Sequence, residues 1–124
     1  MLINLSNHPS EKWQKKQIIA AEVYGVVSDL PFPSIDPFAS IDDISEQADQ
    51  YSGEILSLLK GQTETSAVHL MGELTFCYAL VHKLQQNGIK CIASTTKRLV
   101  TENGNSKTVE FNFCRFREYP DLFK

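Results

Sequence analysis

The sequence predicts an α/β fold: a mainly parallel sheet with flanking helices and a C-terminal antiparallel hairpin. Two observations carry this expectation. Short apolar runs of strand type alternate three times with segments of helical spacing before a fourth run, an order that right-handed crossovers turn into parallel pairing. After the fourth run, Val109, Phe111 and Phe113 alternate behind an Asn103-Gly104-Asn105 turn, the pattern of a hairpin strand with one apolar face. Together they describe a Rossmann-like sheet with an antiparallel end.

The elements follow in order. Residues 2–5 form the first strand, which Ser6-Asn7-His8-Pro9 stops with turn-forming residues. Ser10 caps a first helix whose apolar positions Trp13, Ile18, Ala21 and Tyr24 fall near helical spacing, with Gly25 as its C-terminal stop. A second strand runs from Val26 to about Leu30, where Pro31-Phe32-Pro33 forbids further pairing. In the second helix Ile41, Ile44, Ala48, Tyr51, Ile55, Leu58 and Leu59 recur at three- and four-residue steps. Asp42 and Asp43 sit at its favourable pole, and Gly61 marks its end. Residues 67–71 are a buried strand, residues 74–86 a third helix stopped by Asn87-Gly88, and residues 89–93 a fourth strand. A hairpin follows, with one arm from about Thr96 to Glu102 and the other from Lys107 to about Tyr119. Phe116 breaks the phase set by Val109, Phe111 and Phe113, which places a bulge or strand end near Cys114.

The 124 residues, 42% of them hydrophobic and 22% charged, suit one domain over 1–124 and exclude a disordered or fibrous chain. Twelve Lys and Arg against fifteen Asp and Glu leave a net charge of −3, which disfavours general duplex binding. A small anionic ligand stays compatible, because a few local cations and backbone N–H groups suffice to hold it. No basic leader and no run near the ~20 apolar residues of a membrane span is present, so the expected location is the cytoplasm, away from membrane. Cys77, Cys91 and Cys114 form no CxxC and lie in apolar segments, so buried free thiols are expected rather than a metal site.

Ligands of open parallel sheets collect beyond the carboxyl ends of the strands, where strand order reverses. That rule gathers Ser6, Asn7 and His8 after the first strand, Phe32 after the second, Gly72, Glu73 and Thr75 after the third, and Ser94-Thr95-Thr96-Lys97-Arg98 after the fourth. Each has a structural alternative. Gly72 either lets a ligand approach the backbone or permits a tight turn, and it belongs to no GxGxxG or GxxxxGK[ST] pattern that would imply a dinucleotide or NTP cofactor. Glu73 either binds a base or ribose hydroxyl or favours the helix dipole, and Thr75 either donates to phosphate or serves the cap. In the Ser94 to Arg98 run, three hydroxyls beside two cations suit a phosphate, whereas the plain reading is a solvated entry to the hairpin. Asn7 and His8 either cap the first helix or face ligand, with His8 suited to moving a proton. His69 in a strand and His82 in a helix read as structural histidines. Phe32 either covers a base or partner or seals the core.

The opening Leu2-Ile-Asn-Leu-Ser-Asn-His-Pro, the Ala67-Val-His-Leu-Met-Gly-Glu and Ser94-Thr-Thr-Lys-Arg segments, and the strand-helix alternation resemble small stand-alone CRISPR-associated Rossmann-fold (CARF) proteins of the ring nuclease type. The likeness runs over most of the chain. It implies binding of a cyclic oligoadenylate second messenger across a homodimer two-fold, and its metal-independent cleavage by attack of a ribose 2′-hydroxyl on the adjacent phosphate, which down-regulates type III CRISPR antiviral signalling. Asn7, His8, Gly72 to Thr75 and Ser94 to Arg98 would then be ligand-facing. Lys97 or Arg98 would offset developing charge, Ser94 to Thr96 would orient the phosphate, and His8 would transfer a proton. No cofactor or metal is implied. The chain departs from sensor-effector members of that group in carrying no appended effector domain. Two other expectations stand beside cleavage: a module that sequesters the messenger without turnover, and a Rossmann-like enzyme of another small nucleotide or sugar phosphate.

Overall fold

The computed structural model describes residues 1–123. Five strands form one sheet in the order β2-β1-β3-β4-β5, with β1 Leu2–Ser6, β2 Val27–Asp29, β3 Ala67–Met71, β4 Lys90–Asn103 and β5 Ser106–Glu118. The first four strands are parallel, and β5 returns antiparallel to β4. This is the α/β architecture expected from the sequence, with the order reversing between β1 and β3.

Strand parity sorts the residues onto two faces. Ile3, Leu5, Val68, Leu70 and Cys91 join the main core with Ile44, Ala48, Ile55, Phe76, Leu80 and Leu84 of α2 (Ile41–Leu59) and α3 (Leu74–Gln86). Leu2, Ala67 and Ile92 form a smaller core with Trp13 and Ala21, beneath α1 (Lys15–Ala21). Asn4 pairs with His69 across β1 and β3, and His69 pairs with Ile92 across β3 and β4, so both polar residues lie on the α1 face.

The second helix begins where the sequence places it. Ser40 and Asp43 close a reciprocal capping box: the Asp43 N–H donates to Ser40 Oγ at 3.1 Å, and the Ser40 N–H donates to Asp43 Oδ2 at 3.2 Å. Its buried row is Ile44, Ala48, Ser52 and Ile55, while Ile41 at the entrance stays exposed. Strand β3 and helix α3 match their predicted bounds.

The first helix differs from its prediction. Ser10 caps nothing; residues Ser10–Lys12 make a 3-10 turn, the backbone is extended at Trp13 and Gln14, and α1 starts only at Lys15. The reason is that its side chains are engaged elsewhere. Ser10 Oγ donates to Asp29 Oδ2 at 2.7 Å, and Trp13 Nε1 donates to the His8 carbonyl at 3.0 Å. The inward row becomes Trp13, Gln17 and Ala21, while Ile18 faces solvent. Residues Glu22–Tyr24 then tighten into a second 3-10 turn.

Strand β4 runs without interruption into the hairpin, where separate segments were expected. It pairs with β3 only over Lys90 to Ile92, so most of β4 and β5 forms a two-stranded arm that leaves the sheet. The turn is Gly104-Asn105, with Gly104 at φ 62°, a conformation that glycine adopts without steric cost. The bulge lies where the phase break predicts it. Thr95 pairs with Arg115 and Thr96 with Phe113, leaving Cys114 as the extra residue. Cys114 is exposed, unlike the buried Cys77 and Cys91, because the bulge turns it out of the packed face.

Candidate functional site

An open cavity of about 510 Å³ lies on the α1 face at the carboxyl ends of β1, β3 and β4. Ser6, Asn7 and His8 line it from the first loop, Met71 and Gly72 from the end of β3, and Ser94 and Thr96 from β4. Lys12, Gln14 and Gln17 form one wall, and Phe111 and Phe113 of β5 form an adjoining one. Gln14 fastens these two walls together. Its Nε2 donates to the Phe111 carbonyl at 3.1 Å, and its Oε1 accepts from the Phe113 N–H at 2.8 Å.

At the floor of the cavity runs a chain of hydrogen bonds. Asn4 Nδ2 donates to Asp29 Oδ1 at 2.7 Å and to the His8 carbonyl at 3.0 Å, so its carbonyl oxygen faces the other way. That oxygen accepts from Ser6 Oγ at 2.8 Å and lies 2.8 Å from His69 Nδ1. Two acceptors cannot share a hydrogen bond, so His69 carries its proton on Nδ1, and Nε2 is left with a lone pair. Ser94 Oγ lies 2.6 Å from that nitrogen and donates to it, while accepting from Gln17 Nε2 at 3.1 Å.

Electrostatics keep this chain neutral at its centre. His69 is buried within an aromatic box, with ring centroids 5.4 Å from Trp13 and 5.5 Å from Phe116. Burial, with the charge of nearby His8 adding to it, lowers its pKa to about 4. Asp29 at the far end behaves oppositely. Its partial burial raises the carboxyl, but hydrogen bonds from Ser10 and Asn4 outweigh that and hold it below its ordinary value. The arrangement is thus a carboxylate, an amide, a neutral imidazole and a hydroxyl in sequence, with the hydroxyl at the cavity. A hydroxyl bonded to an imidazole whose other nitrogen is oriented by a third group is the geometry that activates oxygen for proton transfer.

Of the residues selected from sequence, Ser6, Asn7, His8, Gly72, Ser94 and Thr96 come together here. Arg98 stands on the same side of the arm, paired with Phe111. Lys97 pairs with Asn112 on the opposite side, because consecutive strand residues alternate faces. Thr95 lies on that opposite side as well and spends its hydroxyl on the bulge, donating to the Arg115 carbonyl at 3.1 Å and accepting its N–H at 3.2 Å. Glu73 caps α3, accepting from the Thr75 and Phe76 N–H groups and from the Thr75 hydroxyl. The Thr75 hydroxyl and these N–H groups together hold the Glu73 carboxyl below its ordinary value. Both side chains therefore serve the helix end.

Phe32 seals the core rather than the cavity. Its half-buried ring meets Phe76 edge to face at 5.4 Å. Gly72 makes room for it, since a Cβ there would stand 2.2 Å from the Phe32 ring, and its φ is not positive. Gly72→Ala is expected to push Phe32 off Phe76 and lower unfolding free energy by about 1–3 kcal/mol, read as a drop in the urea midpoint.

Sequence reasoning passed over Asn4 and Gln17 and read His69 as structural. A signal was present: Asn4 and His69 are the polar residues at the centres of two otherwise apolar strand segments. The buried thiols take no part in the cavity. Burial, with Glu73 adding, pushes Cys77 to about 11, and burial, with Asp121 adding, pushes Cys91 to about 12.

Among the described residues, no helix is long and apolar enough to cross a membrane. No curated protein and no solved structure matches the chain. A family model does match, over residues 1–117. That span takes in the helices, β1 to β4 and all of β5 but its last residue, and the chain belongs to the family described as the uncharacterized protein MJ1673 family.

Proposed function

We propose that the cavity binds a cyclic oligoadenylate and opens the ring without metal, by attack of a ribose 2′-hydroxyl on the adjacent phosphate. The observation that carries this reading is the convergence of Ser6, Asn7, His8, Ser94 and Thr96, with Lys12, at the carboxyl edge of a parallel sheet. The Thr96 hydroxyl and the Asn7 amide offer donors, Lys12 a cation and His8 an imidazole to a phosphate beside the exposed ring of Phe111, against which a base can stack, while Ser94 presents an accepting oxygen. The resemblance of the chain to stand-alone CARF proteins supplies the ligand class, and with it a role in ending type III CRISPR signalling.

The size of the cavity favours a homodimer in this reading. A volume of about 510 Å³ falls in the range of a pocket for one drug-sized ligand, and a ring of several adenylates exceeds it. A second copy related by a two-fold axis would double the site with the same residues. The arm supplies apolar surface for that contact: Val100, Val109 and Phe111 share one side, and Phe111 is 58% exposed while lining the cavity. A two-stranded ribbon is marginal by itself, so a partner surface would also stabilise it.

The test is incubation of the pure protein with labelled cyclic tri-, tetra- and hexaadenylate in EDTA, reading binding by gel shift and products by chromatography. The expected result is binding of one ring and release of linear product with a cyclic phosphate end. Bound but intact ring would make the protein a sequestering module, and failure of all three to bind would return the cavity to another small nucleotide or sugar phosphate. Arg98→Ala is expected to weaken binding at least fivefold and Lys97→Ala less than twofold, because only Arg98 is on the cavity side. Equal effects would move the ligand off this face.

A further inference from the structure

We infer that Ser94 and His69 form the proton acceptor of the cleavage step, with the 2′-hydroxyl proton passing to Ser94 Oγ as the Ser94 proton passes to His69 Nε2. This inference rests on the cyclic-oligoadenylate reading of the cavity and names the base that it requires. Three observations carry it. Ser94 Oγ lines the cavity and lies 2.6 Å from His69 Nε2, so one hydroxyl touches both the ligand space and the buried imidazole. The Asp29 to Asn4 hydrogen bond fixes Asn4, and Asn4 fixes the His69 tautomer, so the nitrogen facing Ser94 always offers a lone pair. Gln17 Nε2 donates to Ser94 Oγ at 3.1 Å, which occupies one oxygen lone pair and directs the hydroxyl hydrogen to His69.

The step balances. The 2′-oxygen forms a bond to phosphorus while the bond from phosphorus to the 5′-oxygen breaks. The 2′-proton moves to Ser94 Oγ, the original Ser94 proton moves to His69 Nε2, and the departing 5′-oxygen takes a proton from water admitted by the open cavity. The imidazolium then returns its proton to solvent through Ser94. Burial disfavours the imidazolium in the free protein, and a bound phosphate anion offsets that cost at the moment the proton is needed. The titratable and charged groups around His69 are His8 on the loop after β1, Asp29 behind Asn4, and Lys12 on the cavity wall. Helix α1 and strand β5 present Gln17 and Phe116, which do not titrate. Ser94 is the catalytic residue of this scheme; Asn4 and Asp29 are positioning residues.

The experiment compares wild type, Ser94→Ala, Ser94→Thr and His69→Gln on labelled cyclic tetraadenylate in EDTA, with binding and single-turnover cleavage measured separately. Ser94→Ala and His69→Gln are expected to slow cleavage by about 10²-fold or more with binding changed less than about threefold, in the range of general-base loss. Ser94→Thr, which keeps the hydroxyl, is expected to recover a substantial part of the rate. The wild-type rate falls on the acid side as His69 protonates, and that fall is expected to vanish from the residual rate of His69→Gln. Wild-type cleavage that survives Ser94→Ala would overturn the relay and leave the substrate reading intact. Tight binding of an intact ring by wild type would also overturn the relay, whereas absence of binding would remove the substrate reading itself. Because His69 is buried, His69→Gln can lose folding, and the Ser94→Ala and Ser94→Thr pair then decides the question.

Discussion

Stability is expected to fall by about 3 kcal/mol between pH 6.5 and pH 4, from His69 alone. The imidazole has an unfolded value of 6.5 and a folded value of about 4. The unfolded chain therefore takes up this proton first as pH drops, and unfolding is favoured through that window at about 1.4 kcal/mol per pH unit. Above pH 6.5 the contribution is fully present; below about pH 4 both states are protonated and the loss stops growing. Carboxylates enter later and in the same direction. Asp29 and Glu73 both sit below their ordinary values, so their share is lost only as the pH falls beneath the usual carboxylate range. Urea midpoints measured at half-unit steps from pH 7.5 to 4 would read the effect, with His69→Gln as the comparison. The wild-type slope should be absent from the variant. Parallel curves would mean that His69 is solvated in the folded protein and that its hydrogen bonds to Asn4 and Ser94 are weaker than their geometry.

Phe76→Ala is expected to cost about 3–5 kcal/mol, a large share of the stability of a chain this size. Phe76 is fully buried in the main core, and both Phe32 and Tyr51 lean edge to face on its ring, at 5.4 and 5.5 Å. Truncation removes the largest fully buried side chain among the described residues and leaves a void beneath two other aromatic rings. Relaxation is limited, because Phe76 sits in the first turn of α3, where the Glu73 carboxylate holds its N–H at 3.1 Å. Thermal or urea unfolding followed by circular dichroism measures the loss. A change under 1 kcal/mol would mean that Phe32 collapses into the gap. In that case Phe32→Ala combined with Phe76→Ala would show strong non-additivity.

These two residues mark the two sides of the sheet and the two kinds of information in the sequence. Phe76 belongs to the side that local pattern describes well. The periodicity of α2 and α3 and the mostly apolar run of β3 each repeat a burial rule along the chain, so their bounds are legible from sequence, while the alternation in the hairpin marks its strands but not where β4 begins. The bulge at Cys114 was legible for the same reason, since a phase slip in an alternating strand has few other meanings.

The α1 side follows different physics. Trp13, Gln17 and Ser10 each satisfy a polar atom on a distant element, the His8 carbonyl, Ser94 Oγ and the Asp29 carboxylate. Those bonds override helix propensity and break the first helix at Trp13 and Gln14. The loops that hold the cavity could be read from strand order alone, which is why Ser6, Asn7, His8, Gly72, Ser94 and Thr96 were found together. The direction of a side chain within a loop or strand end could not. Lys97 and Arg98 are neighbours in sequence and lie on opposite sides of the arm, while Glu73 and Thr75 are absorbed by a helix cap.

The sequence by itself determined the α/β class, the order of elements, the core of α2 and α3, and the set of loops from which a site could be built. Only the tertiary structure decided that Asn4, His69 and Ser94 form one hydrogen-bonded chain. The physical reason is that burial and periodicity are properties of a single segment, whereas a relay depends on the register between strands 25 and 65 residues apart, set by pairing across the whole sheet.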